Sequence, residues 1–270
     1  MRELERLFAE LTQGLAGGGS LLFLTDYDGT LTPLVGDPAE ARLTREVRSD
    51  LRVLAQSPRL RVGILSGRAA GDLRALVGIS EVIYAGCHGL EVDGPGVSFR
   101  HPEAEAQRQT LRSIAQALSL RIASIPGARV EPKGLAVAVH YRNVPPGAVG
   151  RVEIQLERTI HQRRGRLKIL RGKKVIEILP RVRWNKGDSA LWLAERVFPA
   201  GPWPLTMVYM GDDRTDELAF EVLAGKAITV KVGAGRIRAP VAFRLDDAAD
   251  VQRLLSALAG EVRNRKSPHE

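Results

Sequence analysis

Five short apolar runs recur along the chain, each stopped by small or acidic residues. They are Leu21–Thr25 before Asp26, Leu60–Leu65 before Ser66-Gly67-Arg68, Val82–Ala85 before Gly86, Met207–Met210 before Gly211-Asp212-Asp213, and Ala227–Val232 before Gly233. Apolar runs of this length bounded by turn residues predict strands buried on both faces. Helical periodicity fills the gaps, over Glu46–Gln56, Asp72–Val77, Ala190–Val197 and Asp216–Leu223. At the N-terminus Leu4, Leu7, Phe8 and Leu11 share one helix face, and Gly17–Gly19 follow as a short hinge. The alternation predicts an α/β core, a parallel sheet with helices on both sides. Ligands of such sheets sit beyond the carboxyl ends of the strands, and Asp26, Asp28, Ser66, Arg68, Asp212 and Asp213 all fall there.

The rhythm breaks between His101 and Arg183. Here the pattern predicts a helix over Glu103–Arg121, strands over Ala128–Glu131 and Leu135–Arg142, a helix over Ala148–Arg163, and strands over Leu167–Leu170 and Val175–Leu179. Gly134 and Gly172 fall where hairpin turns belong. The segment 101–183 is therefore expected to be an α+β insertion standing over a core made of 1–100 and 184–270. The polar stretch Arg263–Glu270 is expected to fray.

Composition narrows the classes. The single cysteine, Cys87, excludes an intrachain disulfide and a multi-cysteine zinc site, and fits a reducing cytoplasm. Glu3, Glu5 and Glu10 interrupt what a secretory leader would need, and no apolar run approaches the ~20 residues that cross a bilayer, so no membrane role is expected. The net charge of +9 is densest over Arg158–Lys186. That stretch has only Trp184 for base stacking, so phosphate attraction is the simpler account and no nucleic-acid partner is expected.

Two acidic groups carry the chemistry. Asp26-Tyr27-Asp28-Gly29-Thr30-Leu31 sets two carboxylates two residues apart after a strand, where each raises the other's pKa unless a cation offsets them. Taken alone, such a turn is often just a loop cap. Gly211-Asp212-Asp213-Arg214-Thr215-Asp216-Glu217 adds acids after a second strand. The helix dipole accounts for Asp216 and Glu217 at a helix start, but not for acids that begin at the strand end. Magnesium prefers hard oxygen ligands of this kind. Ser66 offers a hydroxyl at a third strand end, and Lys186 a point charge suited to a phosphate oxygen. His101, His161 and His269 lie in polar surroundings, His140 reads as a structural histidine on an apolar strand, and Cys87 as a small buried residue.

In this order and strand-end setting, the Asp26–Leu31 segment, Ser66, Lys186 and Gly211-Asp212-Asp213 resemble the haloacid dehalogenase-like phosphatases. The resemblance narrows to the trehalose-6-phosphate phosphatase family through Gly86-Cys87-His88-Gly89, Val130-Glu131-Pro132-Lys133-Gly134, His140-Tyr141-Arg142, Gly172-Lys173-Lys174-Val175-Ile176-Glu177 and the 211–217 segment. It covers nearly the whole chain apart from the first helix and the basic tail. It implies a Rossmann-like doubly wound parallel sheet with an inserted α+β cap. It implies Asp26 as nucleophile, Asp28 as general acid and base, and Ser66 and Lys186 on the phosphoryl oxygens. It implies Mg2+ on Asp26, Asp28 (through its carbonyl oxygen) and Asp212, with Asp213 or Asp216 in support. It implies a sugar held by Arg68, His88, Glu131, Lys133, Arg142, Lys173 and Glu177, and functional coupling to a trehalose-phosphate synthase. Trp184, Arg181 and Arg183 depart from the expected pattern beside Lys186. The competing readings are a phosphatase of sucrose phosphate or mannosyl-3-phosphoglycerate, and a non-catalytic sugar-phosphate-binding regulatory subunit.

Overall fold

The computed structural model describes residues 3–35, 40–172, 174–198 and 205–266. The chain divides into two compact units, Met1–Phe99 with Trp184–Glu270, and Arg100–Arg183.

The first unit is built on an eight-stranded sheet. Its strands are β1 (Ser20–Thr25), β2 (Leu60–Leu65), β3 (Ile83–Gly86), β4 (Glu91–Gly94), β5 (Val97–Arg100), β10 (Leu205–Gly211), β11 (Ile228–Val232) and β12 (Phe243–Leu245), in the order β12-β11-β10-β1-β2-β3-β4-β5. Pairing is parallel from β12 to β3 and turns antiparallel at β4. Every residue of β1 is buried, and alternate side chains serve opposite faces. Leu21 and Phe23 join a core with helices α1 (Glu3–Leu15), α2 (Arg45–Ala55), α3 (Ala70–Val77) and α9 (Ala248–Lys266). Leu22 and Leu24 join a second core with α7 (Lys186–Ala194) and α8 (Arg214–Leu223). The sheet is thus doubly wound, with a separate core on each face.

The sequence pattern missed the hairpin β4–β5, the edge strand β12 and helix α9. It also placed fraying from Arg263, whereas α9 continues to Lys266. The reason is tertiary. Arg265 pairs with Glu261 at 2.7 Å and donates to the Leu15 carbonyl at 3.0 Å, which fixes the last turn against α1.

The second unit is a four-stranded antiparallel sheet in the order β6-β7-β9-β8. The strands are β6 (Arg129–Pro132), β7 (Val137–His140), β8 (Leu167–Gly172) and β9 (Val175–Pro180). Val137, Val139, Ile176 and Ile178 pack with Leu111, Leu118, Val152 and Leu156. These come from α5 (Arg108–Ile122) and α6 (Val149–Ile160). A short helix, α4 (Pro102–Glu105), precedes α5 where the sequence pattern reads one continuous helix. Among the described residues no helix is long and apolar enough to cross a membrane.

Candidate active site

Parallel register brings distant acids together. β1 pairs with β10 from Ser20↔Leu205 to Thr25↔Met210, so the chain leaves both strands at one level. The Asp26 amide donates to the Met210 carbonyl at 2.8 Å, holding the residue after β1 against the end of β10. Carboxylate oxygens of Asp26, Asp212 and Asp216 then lie within 4.8 Å of one another. Two glycines make room. A Cβ on Gly29, which has φ +89°, would meet Asp212 Oδ2 at 2.3 Å, and one on Gly211 would meet the Asp216 carboxyl carbon at 2.2 Å.

Lys186 opens α7 behind an Asn185–Asp188 capping box. It is buried, and its Nζ donates to Asp26 Oδ1 at 2.6 Å and to Asp216 Oδ1 at 2.7 Å. Tyr209, inside β10, donates to the same Asp216 oxygen at 2.6 Å. The second Asp216 oxygen accepts from the Asp212 and Asp213 amides at 3.0 and 3.1 Å. Asp213 turns elsewhere. It caps α8, its carboxylate accepting from the amides of Thr215 and Asp216. The alternative between Asp213 and Asp216 is therefore met by one acid inside the cluster and one at the helix start.

Burial pulls the Lys186 ammonium toward neutrality, but Asp216 and Asp26 outweigh it and hold the pKa well above the ordinary value. One ammonium cannot offset three carboxylates. Burial first, then the neighbouring acids, raises Asp26 well above the carboxylate range and lifts Asp212 to about 7; Asp216 is raised by burial as well. Burial also disfavours the Asp213 carboxylate, yet Lys186 and the Thr215 and Asp216 donors hold it at about 2. Ionising all three carboxylates together is thus disfavoured unless a further cation joins them. Hard oxygen donors in this number fit a hard divalent cation.

The remaining core residues surround this cluster. Ser66, buried at the end of β2, accepts from the Arg68 amide at 3.2 Å. Arg68 grips the Asp28 carboxylate with two bonds, Nε to Oδ2 at 2.7 Å and a terminal nitrogen to Oδ1 at 2.6 Å. The Asp28 side chain therefore faces Arg68 while Asp26 faces Lys186. Cys87 and His88 both hold positive φ, 50° and 60°, which costs about 1–3 kcal/mol each and persists only where surroundings impose it. Here the Cys87 amide donates to the Arg68 carbonyl at 2.8 Å, the His88 amide to the Ser66 carbonyl at 2.9 Å, and the Trp184 indole to the Gly89 carbonyl at 2.8 Å. Trp184, an outlier in the sequence pattern, thereby ties the His88 turn to the start of α7, its ring 5.2 Å from that of Phe99.

In the second unit two of the expected sugar-binding residues, Glu131 and Glu177, share a sheet face. Glu131, Ala138 and Glu177 align in one cross-strand row, opposite to the apolar rows that pack the helices. Lys133 bonds Glu177 at 2.8 Å, and His140 bonds Glu131 at 2.6 Å, the partner that makes it a satisfied strand histidine. Arg142 is exposed just beyond β7. Lys173 lies outside the described residues. Sequence reasoning missed Tyr209 and Glu91. Glu91 is buried and accepts from the Ala70 amide at 2.8 Å and from the Cys87 thiol. Tyr209 was findable as a phenol in an otherwise apolar run, since a buried hydroxyl needs a partner.

A doubly wound sheet whose carboxyl edge gathers three acids around a buried lysine is a haloacid dehalogenase-like core. A family model, trehalose-phosphatase, matches residues 24–241, and the chain belongs to that family. It is 37% identical over 257 residues to a trehalose-phosphate phosphatase of Mycobacterium bovis, a match covering 94% of this chain and 64% of that protein. The chain thus spans 64% of the length of such mycobacterial relatives. A solved trehalose-6-phosphate phosphatase related protein superposes with a TM-score of 0.77 at 24% identity, over 92% of this chain and all (100%) of that one. The C-terminal domain of Candida albicans trehalose-6-phosphate phosphatase does so with 0.74 at 24% identity, over 96% of each chain. At that identity both likenesses concern the fold.

Proposed function

We propose that the protein is a Mg2+-dependent phosphatase that hydrolyses trehalose 6-phosphate to trehalose and phosphate through an aspartyl phosphate on Asp26. The observation that carries this reading is the bond from buried Lys186 to Asp26 within the trio of Asp26, Asp212 and Asp216. Lys186 engages Oδ1 of Asp26, leaving the other carboxylate oxygen to attack phosphorus. As that bond forms, the phosphorus–oxygen bond to the sugar breaks, and the sugar oxygen takes a proton from Asp28. A water then returns a proton to Asp28 and attacks the same phosphorus, releasing phosphate and restoring the Asp26 carboxylate. Because Arg68 holds both Asp28 oxygens, Asp28 must part from Arg68 to meet the sugar oxygen, which frees the guanidinium for substrate. Ser66 and Lys186 bind the phosphoryl oxygens, where negative charge spreads in the transition state.

Asp26, Asp212 and the Asp28 carbonyl oxygen would hold Mg2+, and the position of Asp216 in the trio supports it over Asp213 as the further acid. Bound there, the ion supplies the positive charge that lets an anionic nucleophile approach an anionic phosphate. The inserted unit selects the sugar through Glu131, Lys133, Arg142, Lys173 and Glu177, joined by Arg68 and His88 from the core. On this reading the chain works in trehalose biosynthesis in the cytoplasm, coupled to a trehalose-phosphate synthase that supplies its substrate.

The test is phosphate release from trehalose 6-phosphate, sucrose phosphate and mannosyl-3-phosphoglycerate, with and without Mg2+. Trehalose 6-phosphate should be preferred and the reaction should require the ion. Asp26→Asn should lower turnover at least ~10³-fold while keeping the fold. Activity that survives Asp26→Asn, or a clear preference for another sugar, contradicts the reading.

A further inference from the structure

The positive charge of the chain is not spread evenly. Residues 100–183 carry eighteen Lys and Arg against six Asp and Glu, a net +12, while the rest carries 22 against 25, a net −3. A monophosphate substrate has no need of a field this large. Five of the six acids in the unit are paired: Glu105 with Arg108, Glu131 with His140, Glu153 with Arg171, Glu157 with Arg164 and Glu177 with Lys133.

Three of these cations line one concavity. A concavity of about 600 Å³ runs between α5 and α6 and the turn that follows α6, wholly within the second unit. Arg121, Arg158 and Arg163 line it, with the hydroxyl-bearing Ser113 and Thr159. Among the described residues these three guanidinium groups enter no ion pair or side-chain hydrogen bond. The acid in its lining, Glu157, is already engaged by Arg164. Cations in the last turn of a helix are favoured by the dipole, which accounts for Arg121 or Arg158 taken singly. It does not account for three such guanidinium groups, without ion pairs among the described residues, lining one concavity. Each guanidinium offers a planar fork of donors matched to two phosphate oxygens. Ala117 in the lining adds apolar surface.

We propose that this concavity is a second anion site, separate from the trio of acids, that binds a small polyphosphate-bearing ligand through Arg121, Arg158 and Arg163. The chemistry it recognises is a chain of linked phosphates, free or carried on a nucleoside. The site involves no bond making or breaking.

The test is calorimetric titration of the full chain with tripolyphosphate and, separately, with ATP, in about 0.15 M salt and with Mg2+ in excess. Saturable binding of one equivalent is expected. The variant Arg121→Gln/Arg158→Gln/Arg163→Gln should weaken it at least about tenfold, with phosphatase turnover unchanged. Arg→Lys at the same three positions should recover only part of the affinity, since charge returns without the fork. Equal affinity for both probes assigns recognition to the phosphate chain; tighter ATP binding adds a contact to the nucleoside, with Ala117 as the apolar lining residue. Absence of binding, or binding that the glutamine variant leaves intact, overturns the proposal, as does retention of an oligonucleotide that tripolyphosphate fails to displace. All three positions are exposed, and the single variant Arg163→Gln serves if the triple one does not fold. The binding arms need no turnover, so failure of the phosphatase reading would leave this result standing.

Discussion

Tyr209 holds one carboxylate of the acid trio from inside β10. Its hydroxyl and the Lys186 ammonium converge on one oxygen of Asp216, so the carboxylate is held from two sides. Removing a bond to a buried charged group costs about 1.5–3 kcal/mol. Tyr209→Phe should therefore lower stability by about 2 kcal/mol in urea unfolding, with the fold and the phenyl packing against Phe220 kept. A change below a few tenths would mean that Asp216 is held by Lys186 alone. Asp26 and Asp212 were legible in the sequence because each sits where an apolar run stops, whereas Lys186 and Asp216 open helices and stood out only through their order along the chain. Glu91 was not, because its importance depends on which face it turns to and what it meets, and Tyr209 left only the trace of a phenol in an apolar run. The pairing of Asp28 with Arg68 was equally hidden: forty residues separate them.

At the scale of elements, the strands that carry the site read plainly, and the peripheral ones did not. β1, β2 and β10 are nearly continuous apolar runs because both faces are covered. β4, with the sequence EVDG, has no such signature, since its burial is only partial. Helix α9 did carry a helical pattern, with Val251, Leu254, Leu255, Leu258 and Val262 all buried, and its omission was a reading fault rather than a missing signal. In the second unit, the β6–β7 pair makes a prediction about acid. The hydrogen bond from His140, outweighing burial, lowers the Glu131 pKa from 4.5. A carboxylate whose pKa is depressed on folding adds stability above its unfolded value and loses it as pH falls through its folded one. Glu131→Gln should thus be less stable than the parent near pH 7, with the difference shrinking as the medium is acidified below the ordinary glutamate range. A constant difference at every pH would show that the pair contributes by packing instead of charge.

The whole molecule separates its charges, with acids at the sheet edge of one unit and a net +12 in the other. Three carboxylates crowd together in the trio, so a divalent ion should stabilise the fold as well as serve the proposed reaction. Ion at a hundredfold its dissociation constant should add about 2.7 kcal/mol, seen as a rise in melting temperature that chelation reverses. Asp212→Asn should remove most of that rise. An unchanged melting temperature across a wide range of Mg2+ would contradict the assignment of the trio.

The most direct measurement is of the covalent intermediate. The protein is mixed with trehalose 6-phosphate and Mg2+, quenched within a turnover, reduced with borohydride and digested for mass spectrometry. Reduction converts an aspartyl phosphate to homoserine. The account predicts that conversion at position 26, dependent on both substrate and ion. Steady hydrolysis with position 26 unmodified, or modification at Asp28 or Asp212 instead, would contradict it.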